Sequence, residues 1–99
     1  MVIWTNPAKT DLKHIFDYIA YDSKYYAKKV RDDIVAKTEL LLFNPESGSI
    51  VSELNIKTIK QLFSYDYRII YEIKNKDCYI LAILRSKQDI KRNIKVSKN

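Results

Sequence analysis

"KTIKQLFSYDYRIIYEIKNKDCYILAIL", residues 57–84, is where the pattern of this chain changes. Upstream, apolar residues recur at helical spacing. Here they recur at every second position in three runs, KTIKQLFS (57–64), YRIIYEI (67–73) and CYILAIL (78–84), rich in Ile, Leu, Tyr and Phe. A period of two carried by aromatic and β-branched residues predicts strands. The separating stretches SYD and KNKD are short enough for hairpins, so the three strands form an antiparallel meander. Arg68 stands out, because it occupies the middle of a run where packing favours an aliphatic side chain. Alternation puts Tyr67, Ile69, Tyr71 and Ile73 on one face and Arg68, Ile70, Glu72 and Lys74 on the other. The tyrosine–isoleucine face is expected to meet the rest of the protein, which leaves Arg68 on an open, hydrated face. With a three-residue SYD loop, Leu62 stands opposite Arg68 and Lys60 opposite Ile70. Lys60 and Arg68 are then diagonal neighbours about 7–8 Å apart at the backbone, and the pair invites an anion between them.

Upstream of the meander, VIWT (2–5) reads as a short strand. Asn6 suits a helix N-cap and Pro7 the first helical position, where its missing N–H costs nothing. Leu12, Ile15, Phe16, Ile19 and Ala20 then form one apolar helical stripe, predicting a helix from Pro7 to Tyr21. Asp22 or Ser23 caps a second helix, whose inner face holds Ala27, Val30, Ile34, Thr38 and Leu41 and which ends at Asn44-Pro45. Two helices joined this tightly make an antiparallel hairpin. Downstream, SKQDIKRNI predicts a short basic helix, with Ser86 as its cap and Ile90 and Ile94 touching the sheet. The expected architecture is α+β in the order β-α-α-β-β-β. A helical hairpin packs on one face of an antiparallel sheet, and a short basic helix or tail ends the chain.

At 99 residues the chain is one domain, with fraying expected from about residue 91. Its 46% hydrophobic content supports a packed core and excludes a disordered class. A single cysteine, Cys78, excludes an internal disulfide and fits a reducing compartment. No apolar run approaches the ~20 residues of a membrane span, and MVIWTNPAKT lacks the features of a signal peptide, so a cytoplasmic location without membrane contact is expected. No motif points to a metal or an organic cofactor. The net charge of +6 is uneven: residues 85–99 hold six Lys/Arg against one Asp, or +5 of the total. Such a patch suits phosphates or an acidic protein partner. His14 reads as an exposed helix residue and Trp4 as a core anchor. Tyr18, Tyr21, Tyr25 and Tyr26 read as core and rim packing at the helix junction, with Tyr25 and Tyr26 suited also to a protein-binding surface.

Together these segments resemble the ParE/RelE superfamily of bacterial type II toxins. The resemblance runs through the opening strand, AKTDLKHIFDYIAYDSKYYAKKVRDDI, NPESGSIVSEL, IKQLFSYDYRIIYEI and YILAILRSK, so it covers nearly the whole chain. Its most specific parts are the Pro-x-x-Gly turn followed by Val-x-Glu-Leu, and the Tyr-Arg-Ile-Ile-Tyr strand.

The resemblance implies a toxin made with a cognate antitoxin, whose mostly disordered segment folds across it in a hetero-oligomer. It also implies one of two targets. RelE-like members cut mRNA in the ribosomal A site, and ParE-like members bind DNA gyrase. Cutting needs a base for the 2′-OH, a cation for the phosphorane and an acid for the leaving oxygen. By resemblance, Lys60, Arg68 and Lys87 would take such roles. However, the late tyrosine of RelE-like enzymes is missing, the lysine pair of the second strand is reduced to Lys60, and Lys87 lacks an arginine's bidentate fork. The long helices and KQLFSYDYRIIYEI resemble the ParE branch more closely. The implied activity is gyrase inhibition by protein binding, linked to plasmid stabilisation and growth regulation. Lys60, Leu62, Arg68, Arg85, Lys87, Lys91 and Arg92 are the candidate contacts to the target or the antitoxin. A non-toxic module that only binds the antitoxin is a further reading.

Overall fold

The computed structural model describes residues 1–88 and residue 90. Within them the order is β1 (Val2–Trp4), α1 (Asn6–Ala20), α2 (Lys24–Glu39), β2 (Ser49–Ile50), β3 (Ile59–Ser64), β4 (Tyr67–Lys74) and β5 (Asp77–Arg85). Two 3-10 turns, Leu40–Leu42 and Pro45–Ser47, lie between α2 and β2. The sheet has five strands in the order β1-β5-β4-β3-β2. β3, β4 and β5 pair antiparallel, as the meander predicts, β2 adds antiparallel to β3, and β1 runs parallel to β5, which makes the sheet mixed. The α+β arrangement is as expected. β2 is an additional short edge strand, and most of the expected C-terminal helix, including Ile94, lies outside the described residues.

The helix boundaries follow from capping. Thr5, one residue before the expected cap, accepts the Ala8 N–H at 3.4 Å, and Asn6-Pro7 opens the helix instead. Ser23 caps α2 by accepting the Tyr26 N–H at 3.1 Å. The α2 helix stops at Glu39, short of Asn44-Pro45, because its last turn tightens into the 3-10 geometry of Leu40–Leu42 before the proline forbids continuation.

Tyr67, Ile69, Tyr71 and Ile73 do meet the helices. Ile69 and Tyr71 belong to a core with Ala8, Val30, Ile34, Cys78 and Ile80, against which Trp4, Tyr67 and Ile73 pack half-buried. The opposite face is not open. A second core joins Ile59, Ile70, Ala82 and Leu84 to Val51 from the segment before β3 and to Ile90 after β5, with Leu54 and Ile56 packed beside them. The central strands are thus covered on both sides, and β4 is buried from Arg68 to Glu72 without interruption.

The β3–β4 turn is Tyr65-Asp66, one residue shorter than expected, because Ser64 already pairs with Tyr67. The register shifts accordingly: Arg68 lies opposite Phe63, and Lys60 opposite Tyr71. A one-residue slip in a strand moves every side chain to the other face. Lys60 therefore joins the helix side of the sheet and Arg68 stays on the far side. The β4–β5 turn, Asn75-Lys76, has both residues at positive φ (52° and 70°), which matches the twist of a two-residue hairpin. Between Ile70/Ala82 and Tyr71/Ile80 the register jumps, so Leu81 is an extra, bulged residue.

Candidate functional site

Arg68 is fixed by four hydrogen bonds inside the second core. Nη1 donates to Glu53 Oε1 at 3.0 Å and to Gln61 Oε1 at 3.1 Å. Nη2 donates to Glu53 Oε2 at 2.7 Å and to the Gln88 carbonyl at 2.8 Å. The guanidinium and the carboxylate thus meet as a two-pronged fork, the geometry at which arginine excels. The Arg68 side chain is only 6% exposed and that of Glu53 30%. Nε is buried with no partner among the described residues. The expectation of a wet guanidinium is therefore corrected. The Val51–Thr58 segment folds over this face and brings Glu53 with it, and the chain after β5 brings Gln88.

The other candidates do not gather around Arg68. Lys60, on the opposite face, lies 3.6 Å from Glu46 with its side chain 12% exposed. Leu62 packs half-buried against the helix-side core. Arg85 pairs across the sheet with Tyr67, also on the helix side, and its guanidinium stacks 5.3 Å over the Tyr18 ring. Lys87 is exposed just past β5. Lys91 and Arg92 lie outside the described residues. The expected single cationic cluster is thus divided between two faces of the sheet, and the Lys60–Arg68 pair does not form.

The residues that hold Arg68 escaped the sequence reading. Glu53 sits in the Val-x-Glu-Leu motif, and an acidic residue between Val51 and Leu54 was the available signal. Gln61 and Gln88 carried none, since they reach Arg68 only through sheet register and chain reversal. His14 is exposed as expected, and Cys78 is buried at the start of β5, where loss of hydration pushes its thiol pKa up. The tyrosines of the helix junction are not core residues: Tyr18, Tyr21 and Tyr25 are 68%, 92% and 81% exposed.

Clefts lie on both sides of α1. One, of about 400 Å³, runs between α1 and the end of β5 and includes Asp11, His14, Tyr18, Tyr67 and Arg85. Asp11 accepts the Ile83 N–H at 3.0 Å and so closes the β5 edge beyond β1. Burial raises the pKa of its carboxyl, partly offset by that hydrogen bond. The other, of about 620 Å³, has Trp4, Leu12, Phe16 and Val35 in its lining, together with Lys9, Lys13 and Arg31. Its one acidic residue, Asp17, is bound to Lys13 at 2.7 Å. Among the described residues no group of three His, Cys, Asp or Glu could hold a metal, and no helix is long and apolar enough to cross a membrane.

This arrangement can be set beside known proteins. The family model described as "ParE toxin of type II toxin-antitoxin system, parDE" matches residues 2–90. The chain belongs to the ParE toxin family. A solved structure titled "Chromosomal ParDE TA system from P. aeruginosa" has a similar fold, with a TM-score of 0.70 at 26% identity. The match covers 85% of this chain and 92% of that one. A search of curated proteins returned no match. The family model takes in β1 through Ile90, so every element that builds the two cores belongs to the ParE domain. The chain is thus a ParE-family toxin of a type II toxin–antitoxin system.

Proposed function

We propose that this toxin acts by binding DNA gyrase, without chemistry of its own, in the cytoplasm, and that a cognate antitoxin neutralises it. The observation that carries the reading is the state of Arg68. A guanidinium with both arms on Glu53, Gln61 and Gln88 has no free fork for a scissile phosphate. Lys60, the candidate base, is on the other side of the sheet. Phosphodiester cleavage needs the cation and the base within hydrogen-bond reach of one reacting group, and two groups separated by the sheet do not meet that need. The family relationship supplies the antitoxin. The groove lined by Trp4, Leu12, Phe16 and Val35, with Lys9, Lys13 and Arg31 beside it, suits an acidic amphipathic segment.

The test pairs two assays on purified protein. Supercoiling by gyrase should be inhibited, and inhibition should be relieved by the product of a neighbouring antitoxin reading frame. Messenger RNA on programmed ribosomes should remain intact. Cut message with normal supercoiling would overturn the proposal in favour of a ribosome-dependent nuclease. Normal growth after induction, with antitoxin binding retained, would identify a non-toxic binding module.

A further inference from the structure

Tyrosine is concentrated at one end of the molecule, where nothing in the described chain covers it. Tyr18 lies near the end of α1, Tyr21 in the turn and Tyr25 in the first turn of α2, all more than two-thirds exposed. Tyr26 of α2 meets Tyr65 of the β3–β4 turn edge to face, with ring centroids 6.2 Å apart. Arg85 leaves β5 at the same end and lies against Tyr18, and Tyr67 lines the same cleft as these two. Single exposed aromatics are ordinary on a protein surface, whereas a contiguous group is not.

The arrangement is held in place at a cost. Tyr65 has a φ of 56°, a conformation that favours glycine or asparagine. Its hydroxyl donates to Asp33 on α2, so the hairpin tip is tied to the helix and its ring is fixed. That bond raises the Tyr65 pKa to about 12 and lowers that of Asp33.

Charge at this end indicates what it fits. Asp17, Asp22, Asp33 and Asp66 stand against Lys13, Lys24, Lys28, Lys29, Arg85 and Lys87, four acids against six bases. Nucleic acid demands several free cations for its phosphates, and here Lys13 and Lys29 are held by Asp17 and Asp33 and the surplus is only two. Asp17, Asp33 and Asp66 are already bound, to Lys13, to Tyr65 and Lys29, and to Ser86. Arg85 has no carboxylate partner among the described residues. Rigid tyrosines around one arginine are the composition of protein-binding hot spots.

We propose that the tyrosine end docks a folded protein, the toxin's target, which places a carboxylate on Arg85 and apolar side chains among the rings. This rests on the toxin reading above but assigns it a surface that adjoins the groove suited to the antitoxin at Asp17 and shares none of that groove's apolar lining. The test uses the full chain with Tyr21→Ser/Tyr25→Ser and, separately, Arg85→Glu. Both should melt within a few degrees of the wild type, because the changed side chains are exposed. Binding to purified gyrase should weaken at least tenfold in each, growth arrest on induction should be lost, and antitoxin affinity should be unchanged.

If the wild type arrests growth without binding gyrase, and the variants abolish the arrest, the tyrosine end stands and the identity of the target is what fails. Variants that arrest growth or bind gyrase like the wild type would overturn the proposal. So would a wild type that neither binds nor arrests, an equal loss of antitoxin affinity, salt-dependent binding of an oligonucleotide lost in the variants, or a wild-type dimer that the variants dissolve.

Discussion

At the scale of single residues, Arg68 changes role between sequence and structure. A guanidinium in a strand suggests a ligand grip. Folded, it holds the Val51–Thr58 segment and the chain after β5 to the sheet through Glu53 and Gln88. Removing one partner of a buried pair leaves the other desolvated and unpaired, at a cost of about 3–5 kcal/mol when burial is complete. Glu53 keeps 30% of its side chain in water, so Arg68→Ala should cost less, about 2–4 kcal/mol by urea denaturation. A double-mutant cycle with Glu53→Ala should give a coupling of about 1–3 kcal/mol. A variant that melts like the wild type would return Arg68 to the surface and reopen the nuclease reading. Arg68 was legible as exceptional from its strand context. Its partner was not, because nothing local joins position 68 to position 53.

At the scale of elements, the chain's single glycine shows how the edge of the sheet is built. Gly48 has a φ of −75°, so conformational freedom is not its purpose. A Cβ there would lie 2.6 Å from the Tyr71 hydroxyl and 2.7 Å from the Gln61 carbonyl oxygen. The Gly48 N–H donates to that hydroxyl at 2.9 Å, and the hydroxyl donates to the Pro45 carbonyl at 2.7 Å. Tyr71, buried on the helix face of β4, thereby positions the 3-10 turn that leads into β2. Gly48→Ala should push Tyr71 from this bridge and cost about 1–3 kcal/mol, read as a lower midpoint in urea. An unchanged midpoint would show that β2 tolerates displacement. The sequence marked Pro45 and Gly48 as a turn. It could not show a two-residue strand after it, since two residues carry no period. The β3–β4 register was equally out of reach: SYD reads as well with two loop residues as with three, and the choice decides on which face Lys60 lies.

At the scale of the whole molecule, the sheet is a shared wall between two cores, and the second depends on the C-terminal part of the chain. Ile90 is fully buried there, and the Gln88 carbonyl receives Arg68. Ending the chain after Lys87 should therefore cost the burial of one aliphatic side chain, about 1.5–3 kcal/mol, in addition to the lost acceptor. Hydrogen exchange in β4 and β5 should accelerate in the shortened protein, and unchanged protection would show that the second core stands without Ile90. The helix-side core was legible from the stripes of the two helices and the Tyr67–Ile73 alternation. The second was legible only in part. Ile70, Ala82 and Leu84 fall on the supposedly open face, and the nearly continuous apolar run of CYILAIL is what a strand covered on both sides looks like.

The sequence alone determined the type and order of the two helices and of β1, β3, β4 and β5, the helix-facing side of β4 and the unevenness of the charge. These follow from periodicity and local chemistry, which are properties of neighbours along the chain. Tertiary structure decided whether the far face meets water, which cations share a surface, and that β1 lies parallel to β5. Such outcomes depend on residues distant in sequence arriving at one place, as Glu53 and Gln88 do at Arg68, and no short-range pattern encodes that meeting.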